Sequence, residues 1–198
     1  MSFSVQDPLT LFSQWLEEAA ATEVNDPNAM ALATADSDGT LSNRIVLLKG
    51  HDHHGFRFFT NYEGRKGKAL EANPRAAALF HWKTLDRQVR LEGPVSRLST
   101  EESQAYYDTR ARGSRIGAWA SLQSQPLPER AALEDRIAAF EAKFEGQEQF
   151  SKPDYWGGFI IQPLAMEFWR AGDFRLRERV RLTRSHPGAA WGESPLYP

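Results

Sequence analysis

The stretch Asn43-Arg44-Ile45-Val46-Leu47-Leu48-Lys49-Gly50 constrains the fold of this chain more than any other. Four consecutive aliphatic residues, two of them β-branched, read as a strand buried on both faces. A cation stands at each end, Arg44 and Lys49. Charge taken out of water is costly unless an anion meets it, and a phosphate is the commonest such partner in a soluble enzyme. Long basic side chains that reach back to water from strand ends give the same pattern.

Short β-prone runs separated by turn residues surround this strand. They fall at 29–35, then after the turn Asp36-Ser37-Asp38-Gly39 at 44–49, and after a turn ending at Gly55 at 56–60, which predicts an antiparallel meander. Further strands are predicted at 76–82, 87–98, 157–161 and 165–170. Asp7-Pro8 supplies a cap and a first-turn proline, and Phe12, Trp15, Leu16 and Ala19 form one stripe, so a helix is expected over about 8–23. A short helix over 65–73, closed by Pro74, puts Arg65 and Lys66 at its N-terminus. Basic residues there oppose the helix dipole, whereas free backbone N–H groups beside two cations suit a phosphate.

The capping-box pattern Ser99-Thr100-Glu101-Glu102 opens a helical insertion over about 99–145. It carries Tyr106, Tyr107 and Arg110, then Ile116, Ala118 and Trp119, and finally Leu133, Ile137, Phe140 and Phe144 at helical spacing, which read as packing. The expected architecture is a single α+β domain over 1–198, mainly β.

Two further basic stretches bear on function. The linker 110–115 sets three arginines and Ser114 around Gly113, donor types that bind a phosphate dianion. In 175–182, read as a strand, Arg175, Arg177, Arg179 and Arg181 share one face and Leu176, Val180 and Leu182 the other. Four like charges repel, and a face turned toward bound anions accounts for them; an edge strand guarded by charge is the alternative. With 24 Lys and Arg against 26 Asp and Glu, the chain has no global attraction to nucleic acid, which would bind with a steep salt dependence.

The sequence also excludes several chemistries. It has no cysteine, hence no disulfide and no thiolate nucleophile or ligand. Its N-terminus lacks a signal-peptide pattern and no apolar run approaches the roughly 18 residues of a membrane span, so a cytoplasmic protein is expected. His51, His53 and His54 share a predicted turn with Asp52 alone and are read as solvated, with no metal; His81 and Trp82 are read as packed. No dinucleotide fingerprint, Walker loop or nucleophile elbow is present. Without a nucleophile of its own, the chain must borrow any hard chemistry from a cofactor.

Taken in order and spacing, the segments Asp7-Pro8-Leu9-Thr10-Leu11-Phe12, Arg44 to Lys49, Phe59-Thr60-Asn61, Arg65-Lys66, Thr84-Leu85-Asp86-Arg87-Gln88-Val89, Arg110 to Trp119, Gln123-Ser124 and Glu167-Phe168-Trp169 resemble the pyridoxine 5′-phosphate oxidase family of flavoenzymes. The resemblance implies an antiparallel split β-barrel, homodimeric, with FMN between subunits. By matching position, Arg44, Ile45, Val46, Leu47, Leu48, Lys49, Phe59, Thr60, Arg65, Lys66, Gln88, Gln123, Ser124, Trp169 and Arg179 would hold FMN, with Arg44, Arg65 and Lys66 on its phosphate. Lys49, Tyr106, Arg110 and Ser114 would bind the substrate phosphate. Arg175 and Arg177 would lie at the substrate ring and form the catalytic pair.

The reaction implied moves a hydride from C4′ of pyridoxamine or pyridoxine 5′-phosphate to the flavin, which O₂ reoxidises. The chain departs from the family pattern in three places. Arg177 stands where the family usually has His, the chain begins only a few residues before Asp7, and it ends Pro195-Leu196-Tyr197-Pro198. A related oxidase of phenazine-pathway type with a shifted substrate, and a non-catalytic FMN or pyridoxal phosphate binder, therefore remain as alternatives.

Overall fold

A computed structural model describes residues 5–172, 174 and 176–198. Helix α1 (Pro8–Thr22) starts where Asp7 accepts from the backbone N–H groups of Leu9 and Thr10, as the Asp-Pro pair predicts. The strands are β1 (Ala29–Ala35), β2 (Leu41–Leu47), β3 (Gly50–Asp52), β4 (Gly55–Asn61), β5 (Arg75–Trp82), β6 (Arg87–Arg97), β7 (Trp156–Ile161), β8 (Ala165–Arg170), β9 (Glu178–Thr183) and β10 (Gly192–Leu196). Helix α2 (Arg65–Ala72) follows β4, and α3 (Thr100–Asp108), α4 (Arg112–Ala120) and α5 (Arg130–Lys143) fill the interval between β6 and β7.

The sheet is antiparallel and curled. One path runs β10-β9-β8-β6-β5-β1-β2, while β7 joins β6 to β4 and β4 pairs with β3. Strand β6 serves both ladders. Its first half pairs with β8 and its last residues, Val95 to Arg97, pair with β7. The bend falls at Gly93, where a Cβ atom would lie 2.2 Å from the Gln162 carbonyl oxygen, so only glycine lets the two segments cross. The predicted meander therefore breaks after β2. Among the described residues strand β2 pairs with β1 alone, and the chain restarts in the β3–β4 hairpin.

Inside the curl lies an aromatic core. Phe12 of α1 meets Phe56 and Phe80 edge to face at 4.8 and 5.0 Å, and Trp15 meets Phe168 at 5.4 Å. The stripe read from the sequence thus closes one end of the sheet. A second cluster, Tyr107, Ile116, Ala118, Phe144, Phe150 and Trp156, joins α3 and α4 to β7, with Ile137 and Phe140 of α5 packed on it.

Four expectations are corrected. Strand β2 is not buried on both faces: it is an edge strand, and Leu41 and Ile45 are 77% and 64% exposed. The 110–115 segment is not a linker, since α4 begins at Arg112. The arginine strand starts only at Glu178, leaving Arg177 in irregular chain; Arg175 lies outside the described residues. Its Arg179 and Arg181 do not await an anion, because Glu167 lies 2.8 Å from Arg179 and Glu92 3.4 Å from Arg181. Trp82 is packed as read, donating its indole N–H to the Pro27 carbonyl at 2.7 Å, but His81 is exposed.

Candidate active site

Directly opposed residues of an antiparallel pair share a face, and Arg44 stands opposite the fully buried Leu32. Arg44 therefore points inward at the sheet's edge. Its guanidinium donates to the Leu32 carbonyl at 3.2 Å, to Thr34 Oγ1 at 2.8 Å and to the Ser42 hydroxyl. Burial lowers its pKa first, and Arg65 lowers it further.

Lys66 stands in the first turn of α2, a turn without acidic residues. Its Nζ donates to Gln123 Oε1 at 2.6 Å and Thr60 Oγ1 at 3.0 Å, and the Thr60 hydroxyl donates to the same Gln123 oxygen at 3.1 Å. The helix approaches this closely because residue 67 is glycine: a Cβ there would lie 2.1 Å from the Tyr62 carbonyl oxygen. Burial depresses the Lys66 pKa, and the charge of Arg44 depresses it further. Two cations that disfavour each other's charge share one recess. Arg65 stands more in water, 3.8 Å from Asp36.

The facing wall comes from α3 and α4. Tyr106 stacks on Phe59 at 3.8 Å, and Arg110 places its guanidinium 4.7 Å from the centre of the Trp156 ring. Arg110 Nη1 is buried without a hydrogen-bond partner. Burial lowers the Arg110 pKa, against the opposing influence of Tyr106 and Tyr107. Together these walls enclose a cavity of about 570 Å³, into which Arg44, Lys49, Lys66, Arg110 and Ser114 all open. Among the described residues no carboxylate lies within 4.0 Å of Arg44, Lys49, Lys66 or Arg110. Half-buried cations, Arg44, Lys66 and Arg110, joined by the exposed Lys49 and without carboxylates at ion-pair distance, make an anion site.

Of the residues predicted for the site, Arg44, Ile45, Val46, Leu47, Lys49, Phe59, Thr60, Lys66, Tyr106, Arg110, Ser114 and Gln123 line this cavity. Leu48 is buried in the core instead, and Ser124 lines a neighbouring apolar groove with a backbone φ of 68°. Gln88, Trp169 and Arg179 form one transverse row across β6, β8 and β9, apart from the cavity lining. Arg177 adjoins that row, its guanidinium 5.4 Å from the Trp169 ring centre. Arg112 and Arg115 leave the group. Arg112 donates to the carbonyls of Phe144 and Gln147 at the end of α5, and Arg115 is buried against Phe150 and Gln149. Trp156 had no place in the sequence reading. Its signal, an aromatic just before Gly157-Gly158, is the same as that of any core tryptophan.

Comparison with known proteins settles the family. Residues 16–144 match the model described as pyridoxamine 5′-phosphate oxidase, and residues 156–198 match the pyridoxine 5′-phosphate oxidase C-terminal dimerisation region. The chain belongs to the pyridoxamine 5′-phosphate oxidase family. Curated family members named pyridoxine/pyridoxamine 5′-phosphate oxidase include those of Rhizobium etli, 51% identical over 97% of this chain and 93% of the relative, and Rhizobium meliloti, 52% identical over the same shares. Among solved structures, PhzG from Burkholderia lata 383 in complex with tetrahydrophenazine-1-carboxylic acid superposes with a TM-score of 0.90 at 32% identity, covering 98% of this chain and 94% of that one. A pyridoxamine 5′-phosphate oxidase-related, FMN binding protein of Nostoc punctiforme shares the fold at a TM-score of 0.76 and 16% identity, covering 99% of this chain and 100% of that one. The split-barrel fold expected for this family is the one found.

Proposed function

We propose that this protein is an FMN-dependent oxidase that converts pyridoxamine 5′-phosphate or pyridoxine 5′-phosphate to pyridoxal 5′-phosphate, with O₂ as acceptor and hydrogen peroxide as product. The observation that carries the reading is a single cavity with cations on both walls, Arg44 and Lys66 on one side and Arg110 on the other, and no carboxylate within 4.0 Å of them among the described residues. A flavin phosphate and a substrate phosphate are two anions, and the cavity offers separate donors for each.

The residues present fit FMN. Arg44 and Lys66, with the Thr60 hydroxyl and the N-terminus of α2, supply the charge-assisted donors a phosphate dianion takes, and Ile45, Val46 and Leu47 supply apolar surface for a ring. Arg65, which stands more in water, would add a further cation for the same phosphate. A phosphate beside Lys66 would oppose the depression of its pKa, since an opposite charge favours the ammonium. FMN, when bound, supplies the two-electron acceptor and passes those electrons to O₂.

Lys49, Arg110, Ser114 and the Tyr106 hydroxyl hold the substrate phosphate, and this anchoring orients C4′. Arg175 and Arg177 are assigned to the ring end. Gln88, Trp169 and Arg179 complete the flavin site across a homodimer interface, consistent with the dimerisation region matched by 156–198 and with the exposed apolar residues Leu41 and Ile45 on the edge strand. Leu48 and Ser124 would contribute to holding the flavin through backbone groups. The whole chain acts as one domain, in the cytoplasm.

The test is direct: identify the bound chromophore of the purified protein by mass spectrometry, then follow O₂ consumption and peroxide formation with the two phosphorylated vitamers. Turnover of either, with FMN bound, is expected. Bound FMN with neither vitamer oxidised favours a second reading, an oxidase with a shifted substrate. The permanent cation of Arg177 and the likeness to the phenazine-bound neighbour support that alternative. An Arg177→His variant much faster than the parent on the vitamers would also favour it.

A further inference from the structure

Arg110 poses a physical problem. A guanidinium drawn partly out of water, as the half-buried Arg110 is, is ordinarily held by a carboxylate, which occupies two of its five donors and neutralises it. Arg110 has no carboxylate within 4.0 Å among the described residues, and its Nη1 is buried without a partner. What it has is the face of Trp156, 4.7 Å from guanidinium carbon to ring centre, with Tyr107 at 5.9 Å.

Trp156 is itself fixed. It is 6% exposed, opposes Asn61 in the β4–β7 ladder, lies parallel within 15° to Phe59 and 7° to Tyr106, and takes the edge of Tyr107 at 5.3 Å. A ring face attracts a cation without taking up its N–H groups as a carboxylate does, and Nη1 is left without a partner.

We propose that Trp156 is the positioning residue for Arg110: its ring holds the guanidinium with its donors unspent, and so sets the preference of the site for a phosphorylated substrate over the unphosphorylated one. The inference rests on the proposed function and names the residue that sharpens its substrate class. Indole is the strongest cation-binding ring, so phenyl retains part of the effect and an aliphatic side chain none.

The experiment titrates FMN-loaded protein with pyridoxal 5′-phosphate and with pyridoxal by calorimetry, in the parent, Trp156→Phe and Trp156→Leu. Phosphate-ester affinity should fall about threefold for Phe and about tenfold for Leu, with pyridoxal affinity and flavin content unchanged. Should the Leu variant not fold, the Phe variant and a cycle with Arg110→Met decide. Once Arg110 is gone, Trp156→Phe should cost phosphate affinity nothing more. Equal losses for both titrants, or additive losses in the cycle, overturn the proposal. A parent that binds pyridoxal 5′-phosphate no better than pyridoxal overturns the functional reading itself, and the inference with it, whereas a parent that discriminates while Trp156→Phe discriminates equally well overturns the inference alone.

Discussion

Two regions of this molecule collect arginines, and they do opposite things with them. On the outer face of β6, β8 and β9, Arg90, Arg179 and Arg181 alternate with Glu92 and Glu167: Glu167 accepts from Arg90 at 3.4 Å and from Arg179 at 2.9 Å, and Glu92 lies 3.0 Å from Arg90 and 3.4 Å from Arg181. Each arginine of that face has a carboxylate partner. In the cavity, Arg44, Lys66 and Arg110 are held by carbonyls, hydroxyls, an amide and a ring face, and their charge is left over. A cluster of cations becomes an anion site when its supporting groups are neutral. The count of arginines alone says little.

The largest effect that separates the regions should come from Lys66→Met. It removes the charge and the hydrogen bonds to Thr60 and Gln123, and FMN affinity should fall about a hundredfold or more in a fluorescence titration, with riboflavin affinity nearly unchanged. Glu167→Gln should instead spare the phosphate preference and cost stability. Its carboxylate is only 8% exposed and serves two arginines, so a loss of about 1–2 kcal/mol is expected, read as a fall of about 4 °C in thermal midpoint.

A smaller contrast is one of pH. The Lys66 pKa in the folded, flavin-free protein lies below its ordinary 10.5 through burial and then Arg44, so below 10.5 the unfolded chain binds the extra proton. Stability of the flavin-free protein should therefore rise as pH climbs toward 10.5, and that rise should be shallower in Lys66→Met. Smallest of all is Glu92→Gln. Its pairs with Arg90 and Arg181 stand well in solvent, with all three side chains at least 39% exposed, and chemical denaturation should show a change within about 0.5 kcal/mol.

The same contrast explains what could be read from the sequence. Period and punctuation placed most strands and helices, because alternation, Asp-Pro and the capping box are local signals: β1 and β8 match their predicted limits. Strand β10 and the edge position of β2 escaped, since partnering is decided by distant chain. In the 110–115 segment the residue types were legible and their directions were not. Once α4 begins at Arg112, successive side chains turn by about 100°, so Ser114 opens into the cavity while Arg115 turns to Phe150. The resemblance to a family supplied the cofactor and the residue roles, which no periodicity contains. Trp156 was missed because an aromatic before two glycines reads as core, and core it is, with Arg110 resting on its face.

The central claim is that the uncompensated cations of the cavity hold the flavin through its phosphate. Titrating the flavin-stripped protein with FMN and with riboflavin, and following the quenching of flavin fluorescence, tests it most directly. FMN should bind at least about a hundredfold more tightly, and the gap should narrow as salt is added. Equal affinity for the two flavins would contradict the account.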